Sequence, residues 1–170
     1  MRIRDATHSD LPQMLAIFND VIATSTAVYA LAPVSLEDRT QWMQARQAQG
    51  FPILAAVDGD DLLGFASYGE WRGAWGGYKF TVEHSVHVKA GLRGTGIGRQ
   101  LMEHLILAAH TAGLHVMIGA IDADNAASIR FHERLGFTAV AHFHEVGFKF
   151  NRWLDVVFMQ RVIGPPQAAP

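Results

Sequence analysis

A strand-like segment that runs directly into a glycine-rich loop and then into a helical segment constrains the fold more than any other part of this sequence. Residues 81–98 read TVEHSVHVKAGLRGTGIG, with β-branched alternation in the first half and three alternating glycines in the second. From Ile97 to about residue 112, apolar residues recur three and four positions apart, which predicts a helix. The segment therefore predicts a strand, a loop of bare backbone and a helix in direct succession, as in an α/β protein.

Periodicity and turn signals along the rest of the chain predict the remaining helices and strands. The predicted elements are a strand at 2–4, a helix from Ser9 or Asp10 to Ile22, a helix from Ser35 to Gln49, a hairpin at 51–57 and 62–71, a strand at 115–121, a helix from Asn125 to Leu135, and strands at 137–143 and 152–160. We expect one α/β domain over residues 1–162, with a mixed central sheet of about seven strands flanked by about four helices. The proline-containing residues 163–170 are predicted to be a disordered tail.

Composition excludes several classes of function. The formal charge of −2 and the 18% of charged residues give no electrostatic reason to expect nucleic acid or an anionic membrane as a partner. No apolar run reaches the roughly 20 residues of a membrane span, and the first residues lack the apolar region of a signal peptide. The absence of cysteine excludes disulfides and thiolate nucleophiles. We therefore expect a cytoplasmic protein.

The glycine loop has the properties of an anion-binding site. Its backbone N–H groups precede a helix whose dipole adds partial positive charge, so a phosphate or pyrophosphate is the expected guest, and a βα turn that binds nothing is the alternative. A P-loop is excluded because Ile97 stands where lysine is required after the second glycine. A dinucleotide fingerprint is excluded because the spacing is G-x-G-x-G and no carboxylate follows at the required distance.

Two motifs carry a family resemblance. R-G-T-G-I-G at 93–98 resembles the R/Q-x-x-G-x-G/A signature of the GNAT acyl-coenzyme A transferases, and N-A-A-S-I-R-F-H-E-R-L-G-F at 125–137 resembles their downstream helix and strand. T-V-E-H-S-V-H-V, His132 and K-F-N-R-W-L-D-V-V-F-M-Q are similar to the phosphinothricin and methionine sulfoximine acetyltransferases within that superfamily. The similarity covers about residues 1–161.

The resemblance implies acetyl-coenzyme A as co-substrate and supplies its candidate contacts. The pyrophosphate is expected on the backbone of the loop, and the pantetheine amides are expected to pair with a strand edge, as an added strand would. Two residues of the downstream helix are expected on the cofactor side, although a helix cap and simple packing are their alternative roles. These residues are Arg93, Gly94, Thr95, Gly96, Ile97, Gly98 and Arg99 for the pyrophosphate, Val86, His87 and Val88 for the pantetheine, and Asn125 and Ser128 in the helix.

Glu83 and His132 are the candidate catalytic residues. Strand alternation places Glu83 on the polar face, where its carboxylate can accept the proton that an amine must lose before attack. The alternatives for Glu83 are a solvated strand residue or an ion-pair partner of Lys79. The resemblance places His132 where many relatives have tyrosine, so it either protonates the departing thiolate or only contacts the cofactor.

The acceptor is expected to be a small amine with its own carboxylate, of the phosphinothricin, methionine sulfoximine or methionine sulfone type. Arg72 and Lys79 flank a loop that can bind such a carboxylate, and Trp75 is either a pocket wall or a loop anchor. The resemblance adds His84 and Ser85 on the substrate side. Because alternation places His84 on the opposite face from Glu83, we predict a bulge near residues 83–86.

No metal site is expected, since His142 and His144 share a strand face but have no third ligand at recognisable spacing. Trp153 and Asp155 are interpreted as parts of a core and dimer strand. The resemblance implies a homodimer that acetylates an α-amine by direct attack in a ternary complex. The alternatives are an acetyltransferase for another amine or a protein N-terminus, and a non-catalytic acyl-coenzyme A-binding module.

Overall fold

The predicted order of helices and strands is confirmed by the computed structural model, which describes residues 1–164. The elements are β1 Arg2–Asp5, α1 Leu11–Thr24, α2 Leu36–Ala48, β2 Ile53–Asp58, β3 Asp61–Glu70, β4 Thr81–Val88, α3 Ile97–Thr111, β5 Val116–Asp122, α4 Ala126–Arg134, β6 Thr138–Lys149 and β7 Arg152–Val162. Short 3-10 turns cover His8–Asp10 and Gly76–Tyr78. Of the predicted tail, residues 165–170 lie outside the described residues, whereas Ile163 still donates a backbone hydrogen bond to His115.

The strands form a seven-stranded sheet in the order β1-β2-β3-β4-β5-β7-β6. The pairs β1–β2, β2–β3, β5–β7 and β6–β7 are antiparallel. In contrast, β4 and β5 are parallel, with Thr81 opposite Val116 and Glu83 opposite Ile118. A parallel pair needs a long crossover, which α3 provides, and the prediction of a mixed sheet is confirmed.

One compact unit comprises residues 1–68 and 85–105. Its apolar core is built from the inner faces of α1 and α2 and from β2 and β3, with Met14, Met43 and Phe65 almost fully buried. Helix α2 begins with a capping box, in which Ser35 accepts a hydrogen bond from the Asp38 amide and the Asp38 carboxylate accepts one from the Ser35 amide. These two bonds satisfy amides that a helix start leaves without partners.

A partly buried ion pair fixes the start of this unit. Arg4 donates to both carboxylate oxygens of Asp10 at 2.7 and 2.8 Å, and Thr7 adds donors from its amide and its hydroxyl. The Arg4 hydrogen bond, opposed by burial and aided by Thr7, lowers the pKa of Asp10 to about 2. The carboxylate is therefore ionised throughout the neutral range and holds β1 to the turn before α1.

The other compact unit comprises residues 69–84 and the chain from residue 106 onward. Its buried apolar residues come from both parallel strands and from the elements that follow them. They are Val82, Ile106, Ala109, Met117, Ile118, Ile121, Leu135, Phe137, Leu154, Val156 and Met159. Among the described residues, no helix combines the length and apolar character that crossing a membrane requires.

Strands β6 and β7 differ from the sequence prediction in length and in burial. Strand β6 continues six residues beyond the predicted residue 143 because an irregularity between Phe143 and Gly147 interrupts the ladder without ending it. The core part of the interpretation of Trp153 is wrong, since 60% of its surface is exposed in the single chain, whereas its place in a dimer strand stays a prediction. Asp155 is also not a core residue; its carboxylate is partly exposed and accepts hydrogen bonds from β6.

Candidate functional site

The predicted site residues fall into two groups, and each group lies within one compact unit. In the first group, the glycine loop has the backbone conformation expected of an anion-binding turn. Gly94 and Gly96 have φ of +81° and +93°, and an added Cβ at either would meet no atom within 4 Å. A side-chain hydrogen bond stabilises the loop, because the Thr95 hydroxyl donates to the Leu92 carbonyl at 2.7 Å. The glycines are thus required by conformation, and the space above them is open to a ligand.

The first turn of α3 offers donors next to this loop. The Gln100 amide is bonded to the Gly96 carbonyl, so the three preceding amides, at Ile97, Gly98 and Arg99, have no acceptor within the helix. No acidic residue occupies the first turn to repel an anion. The Ile97 side chain is buried in the core, so only its backbone is available to a ligand. Together these features favour a phosphate group at the helix start.

Two arginines accompany the loop. Arg93 is about half exposed and lies 3.8 Å from the Asp20 carboxylate, a distance at the limit of an ion pair. Arg99 is largely exposed and donates to Glu103 at 2.7 Å, one helical turn away. Arg93 is therefore the side chain of the loop that can turn toward a ligand phosphate at little cost.

His87 lies in β4 with its ring in the core and only its backbone available for pairing. The ring is between Phe18 and Phe65, at centroid distances of 5.3 and 5.1 Å. Burial, reinforced by the charges of two arginines, lowers the pKa of His87 to about 4, so the imidazole is neutral at pH 7. Val86 and Val88 are half-buried and Ser85 is exposed. For residues 86–88, contacts of the backbone with the pantetheine amides therefore stay a prediction.

The burial of β4 changes phase along the strand. Val82 and His84 are buried and Glu83 is half-buried, but the next buried residue is His87 rather than Val86. Strict alternation puts residues 82, 84 and 86 on one face, so the phase shifts by one residue between His84 and His87. A bulge after His84 would produce this shift, which leaves His84 on the buried face with Val82 and opposite Glu83; the bulge itself stays a prediction.

In the second group, His84 and His132 form a buried imidazole pair. Their ring centroids are 5.1 Å apart at an interplanar angle of 26°, and Phe137 packs edge-on against both rings. A Cβ at Gly119 would lie 2.7 Å from His84 Nε2, so this glycine gives the His84 ring its space. The substrate-side candidate His84 and the catalytic candidate His132 are therefore brought together.

The protonation state of His132 follows from its surroundings. Its Nδ1 is 2.7 Å from the Ser128 carbonyl oxygen, and because a carbonyl only accepts, Nδ1 carries the hydrogen. Burial lowers the pKa of His132, opposed by that hydrogen bond. The ring is consequently neutral near pH 7, with its lone pair on Nε2, an atom that is buried and has no hydrogen-bond partner among the described residues.

Asn125 and Ser128 have structural roles at the start of α4. The Asn125 side-chain oxygen accepts a hydrogen bond from the Ser128 amide at 3.0 Å, which is the helix cap that sequence analysis gave as an alternative. The Ser128 hydroxyl lies 3.4 Å from His132 Nδ1. These contacts orient the helix that carries His132, and they leave the Asn125 amide nitrogen for other contacts.

The predicted carboxylate-binding residues lie in an exposed loop. Arg72, Trp75 and Lys79 are all exposed, and Trp75 has 66% of its surface accessible. The Arg72 guanidinium lies 5.6 Å from the Tyr78 ring centroid, and the Lys79 ammonium lies 4.9 Å from that of Phe80. Both cations therefore rest on aromatic rings and keep their donors available.

Sequence reasoning gave little weight to two polar residues of β6 and β7. Lys149 is buried, 5.0 Å from the Phe150 ring centroid, and burial lowers the pKa of its ammonium group. Asp155 accepts hydrogen bonds from His142 and His144 and from the Glu145 amide. The contacts of Asp155 depend on the irregularity in β6, which has no marker in the local sequence.

Comparison with known proteins extends over nearly the whole chain. The sequence model of the Acetyltransferase (GNAT) family matches residues 15–137. The L-methionine sulfoximine/L-methionine sulfone acetyltransferase of Pseudomonas paraeruginosa is 50% identical over 169 residues, which is 99% of this chain and 98% of that protein. The phosphinothricin N-acetyltransferase of Alcaligenes faecalis is 35% identical over 164 residues, 94% of this chain and 81% of that protein.

Solved structures agree with these sequence relatives. The crystal structure of a GNAT superfamily phosphinothricin acetyltransferase from Sinorhizobium meliloti in complex with acetyl-CoA superposes with a TM-score of 0.93 at 31% identity. The match covers 96% of this chain and 88% of that chain.

Proposed function

Because this chain belongs to the GNAT acetyltransferase family, we propose that it transfers the acetyl group of acetyl-CoA to the α-amine of a small amino-acid-like molecule. Methionine sulfoximine, methionine sulfone and phosphinothricin are the first candidates for that molecule. The observation that carries the proposal is the 50% identity, across almost the full length of both chains, to an acetyltransferase named for the first two compounds.

The residues around the glycine loop fit acetyl-CoA. The open space above Gly94 and Gly96, the amides at the start of α3 and the exposed Arg93 suit a pyrophosphate group. The backbone of residues 86–88 is the proposed edge for the pantetheine amides. When bound, acetyl-CoA supplies the thioester, and the protein's own task is to hold it and to manage protons.

We assign the general-base role to Glu83. Its side chain is half-buried in β4, where Glu83 is paired with Ile118 of the parallel neighbour β5. Its carboxylate takes one proton from the substrate ammonium, directly or through one water, which frees the nitrogen lone pair to form the C–N bond, and later returns that proton to solvent. The nitrogen loses a second proton as the C–S bond breaks, and the departing thiolate takes up one proton to leave as the thiol of coenzyme A.

We assign His132 a contact role rather than the role of acid. A general acid would need a proton on Nε2, whereas burial lowers the pKa of His132 against the opposing Ser128 hydrogen bond, and that bond keeps the proton of the neutral ring on Nδ1. Neutral Nε2 can only accept, so its natural partner is an N–H or S–H donor of the reactants. The sequence left two roles open for His132, and this chemistry favours contact with the cofactor over protonation of the thiolate.

Arg72 and Lys79 are the proposed ligands of the substrate carboxylate. Both are exposed and rest on aromatic rings, and an arginine can bind a carboxylate through two parallel hydrogen bonds. Trp75 is then a wall against the apolar part of the substrate, with Ser85 and His84 as further residues on the substrate side.

The proposal includes a cytoplasmic homodimer. The candidate interface consists of exposed apolar side chains on β6 and β7, namely Val140, Phe143, Phe148 and Trp153. Light scattering of the purified chain should give twice the mass of the monomer. The variant Phe148→Glu should give the monomer mass, and a wild-type monomer contradicts this part of the proposal.

The test of the function is a thiol-release assay with acetyl-CoA across amino acids and their sulfoxide, sulfone, sulfoximine and phosphinate analogues. We expect turnover on the sulfoximine, sulfone or phosphinate members and little on unmodified amino acids. Glu83→Gln should lower kcat by 100-fold or more, on the order of what a general base contributes, with little change in acetyl-CoA affinity. The matched control is Glu37→Gln, an exposed glutamate on α2 that should keep wild-type activity. No turnover on any member refutes the function, whereas full activity of Glu83→Gln refutes only the base.

A further inference from the structure

The irregularity in β6 brings several groups of that strand into contact with the Asp155 carboxylate of β7. Three residues of β6, 144–146, stand opposite the single residue Asp155. The pairs that flank them are Phe143–Val156 and Gly147–Leu154. Glu145 has a φ of +52°, so the backbone turns outward there, as at a bulge.

This turn places three metal-ligating side chains together. Asp155 Oδ2 is 3.0 Å from His142 Nε2 and 2.7 Å from His144 Nδ1, and Asp155 Oδ1 accepts the Glu145 amide at 2.9 Å. One ligand atom from each of the three side chains lies within 4.8 Å of both others. The two imidazole rings are 4.3 Å apart and tilted by 36°.

We propose that His142, His144 and Asp155 form a binding site for one first-row transition-metal dication, with Zn²⁺ as the reference case. Two imidazole nitrogens and one carboxylate oxygen suit Zn²⁺, Ni²⁺ or Cu²⁺ and not Mg²⁺ or Ca²⁺, which prefer oxygen ligands alone. Three protein ligands leave a position for water, as in open zinc sites.

The separations of the ligand atoms fit such an ion after small side-chain movements. Ligand atoms around a tetrahedral zinc with bonds of 2.0 to 2.1 Å are about 3.3 Å apart. The present nitrogen–oxygen distances of 3.0 and 2.7 Å need to lengthen by a few tenths of an ångström. The two imidazole nitrogens lie within 4.8 Å of each other and need to approach by at most about 1.5 Å. Rotation of partly exposed side chains provides this, and the backbone of the bulge stays in place.

Protons balance when the ion binds. A carboxylate only accepts, so in the cluster without metal each imidazole donates to Asp155 from the nitrogen that would ligate the ion. On binding, each ring keeps one proton by moving it to its other nitrogen, which solvent can reach because the side chains of His142 and His144 are 46% and 73% exposed.

The ion would act as a clip across the hairpin. Its ligands come from both strands of the hairpin: His142 just before the bulge and His144 within it on β6, and Asp155 opposite the bulge on β7. Binding to the folded state alone raises the free energy of unfolding by mass action. The site is thus independent of the acetyl-transfer residues and has a readout that does not involve enzyme activity.

Titration of the tag-free, full-length wild type with ZnCl₂ by calorimetry tests the proposal. We expect one zinc per chain and a Tm that rises with zinc concentration. His144→Ala and Asp155→Asn should weaken binding at least tenfold and remove the zinc-dependent rise in Tm. The matched control is His104→Ala, which removes an exposed histidine of α3 that contacts only the carbonyl of its own helix in the described hydrogen bonds. This control should bind zinc as the wild type does.

A cobalt titration combined with circular dichroism distinguishes loss of the metal site from misfolding of a variant. Co²⁺ bound by the wild type should give visible d–d absorption, and Asp155→Asn with a wild-type circular dichroism spectrum should lose it. Equal zinc affinity in the wild type, His144→Ala and Asp155→Asn places the binding elsewhere and overturns the proposal. Absence of saturable binding in the wild type overturns it as well, and the cluster is then a hydrogen-bonded clasp of the bulge.

Discussion

The buried imidazole of His87 should make stability depend on pH in the mildly acidic range. Its ring packs between Phe18 and Phe65, and no charge that could stabilise an imidazolium is among the causes of its shift. Burial, followed by the charges of Arg39 and Arg93, lowers its pKa from 6.5 to about 4. Because the unfolded chain binds the proton more readily, stability is full above pH 6.5 and falls as the pH is lowered toward 4.

The size of the effect follows from this difference in pKa. Between pH 7 and pH 5 the unfolded state gains about 2 kcal/mol relative to the folded state from His87 alone, using 6.5 and about 4 for the two pKa values. His87→Gln removes the titrating group and keeps a polar side chain of similar length. We therefore expect its free energy of unfolding to fall about 2 kcal/mol less than that of the wild type over this interval.

Urea unfolding followed by circular dichroism at pH 7, 6 and 5 measures this difference. The variant is expected to be less stable than the wild type at pH 7, so only the change with pH is compared. His104→Ala, which removes an exposed histidine, should keep the wild-type pH dependence. Parallel pH dependences for His87→Gln and the wild type, or an NMR titration of the His87 ring near pH 6.5, would refute the argument.

Three further predictions concern single contacts. Asp10→Asn should lower the free energy of unfolding at pH 7 by about 2 kcal/mol, from the Asp10 pKa of about 2 against 3.8, and urea unfolding should show that the wild type loses this advantage as the pH falls from 4 to 2, whereas the variant does not. Gly96→Ala forces alanine to a φ of +93°, which costs about 1 to 2 kcal/mol, so calorimetry should show at least a severalfold higher Kd for acetyl-CoA. Gly119→Ala places a Cβ 2.7 Å from His84 Nε2, and we expect a lower Tm and a lower kcat; a Tm and kcat unchanged from the wild type would contradict the packing described for this ring.

Sequence patterns predicted the elements well because their signals are local. The Ser35 cap and the glycine stops at Gly50, Gly113 and Gly136 are encoded within a few residues, and all three glycines have positive φ. The mixed sheet followed from the order of these elements. The length of β6 could not be predicted, because an irregular strand loses the alternation on which the prediction depends.

The local conformation of the candidate site was predictable where a residue acts through its own position in a motif. The glycine loop and Asn125 belong to this class. The protonation state of His132 was not, because it depends on burial and on the Ser128 carbonyl, which sequence does not report. The environment of Asp155 was missed for a related reason, since His142 and His144 meet it across a ladder whose register no local signal fixes.

The parallel register of β4 with β5 has a consequence for the order of folding. Hairpins β2–β3 and β6–β7 join neighbours in the chain, so they close short loops and can form early. Pairing Glu83 with Ile118 first requires the whole of α3 and its flanking loops to be enclosed, which costs more chain entropy. The strand that carries the proposed base is thus expected to find its parallel partner late, and destabilising changes at this pair should speed unfolding more than they slow folding.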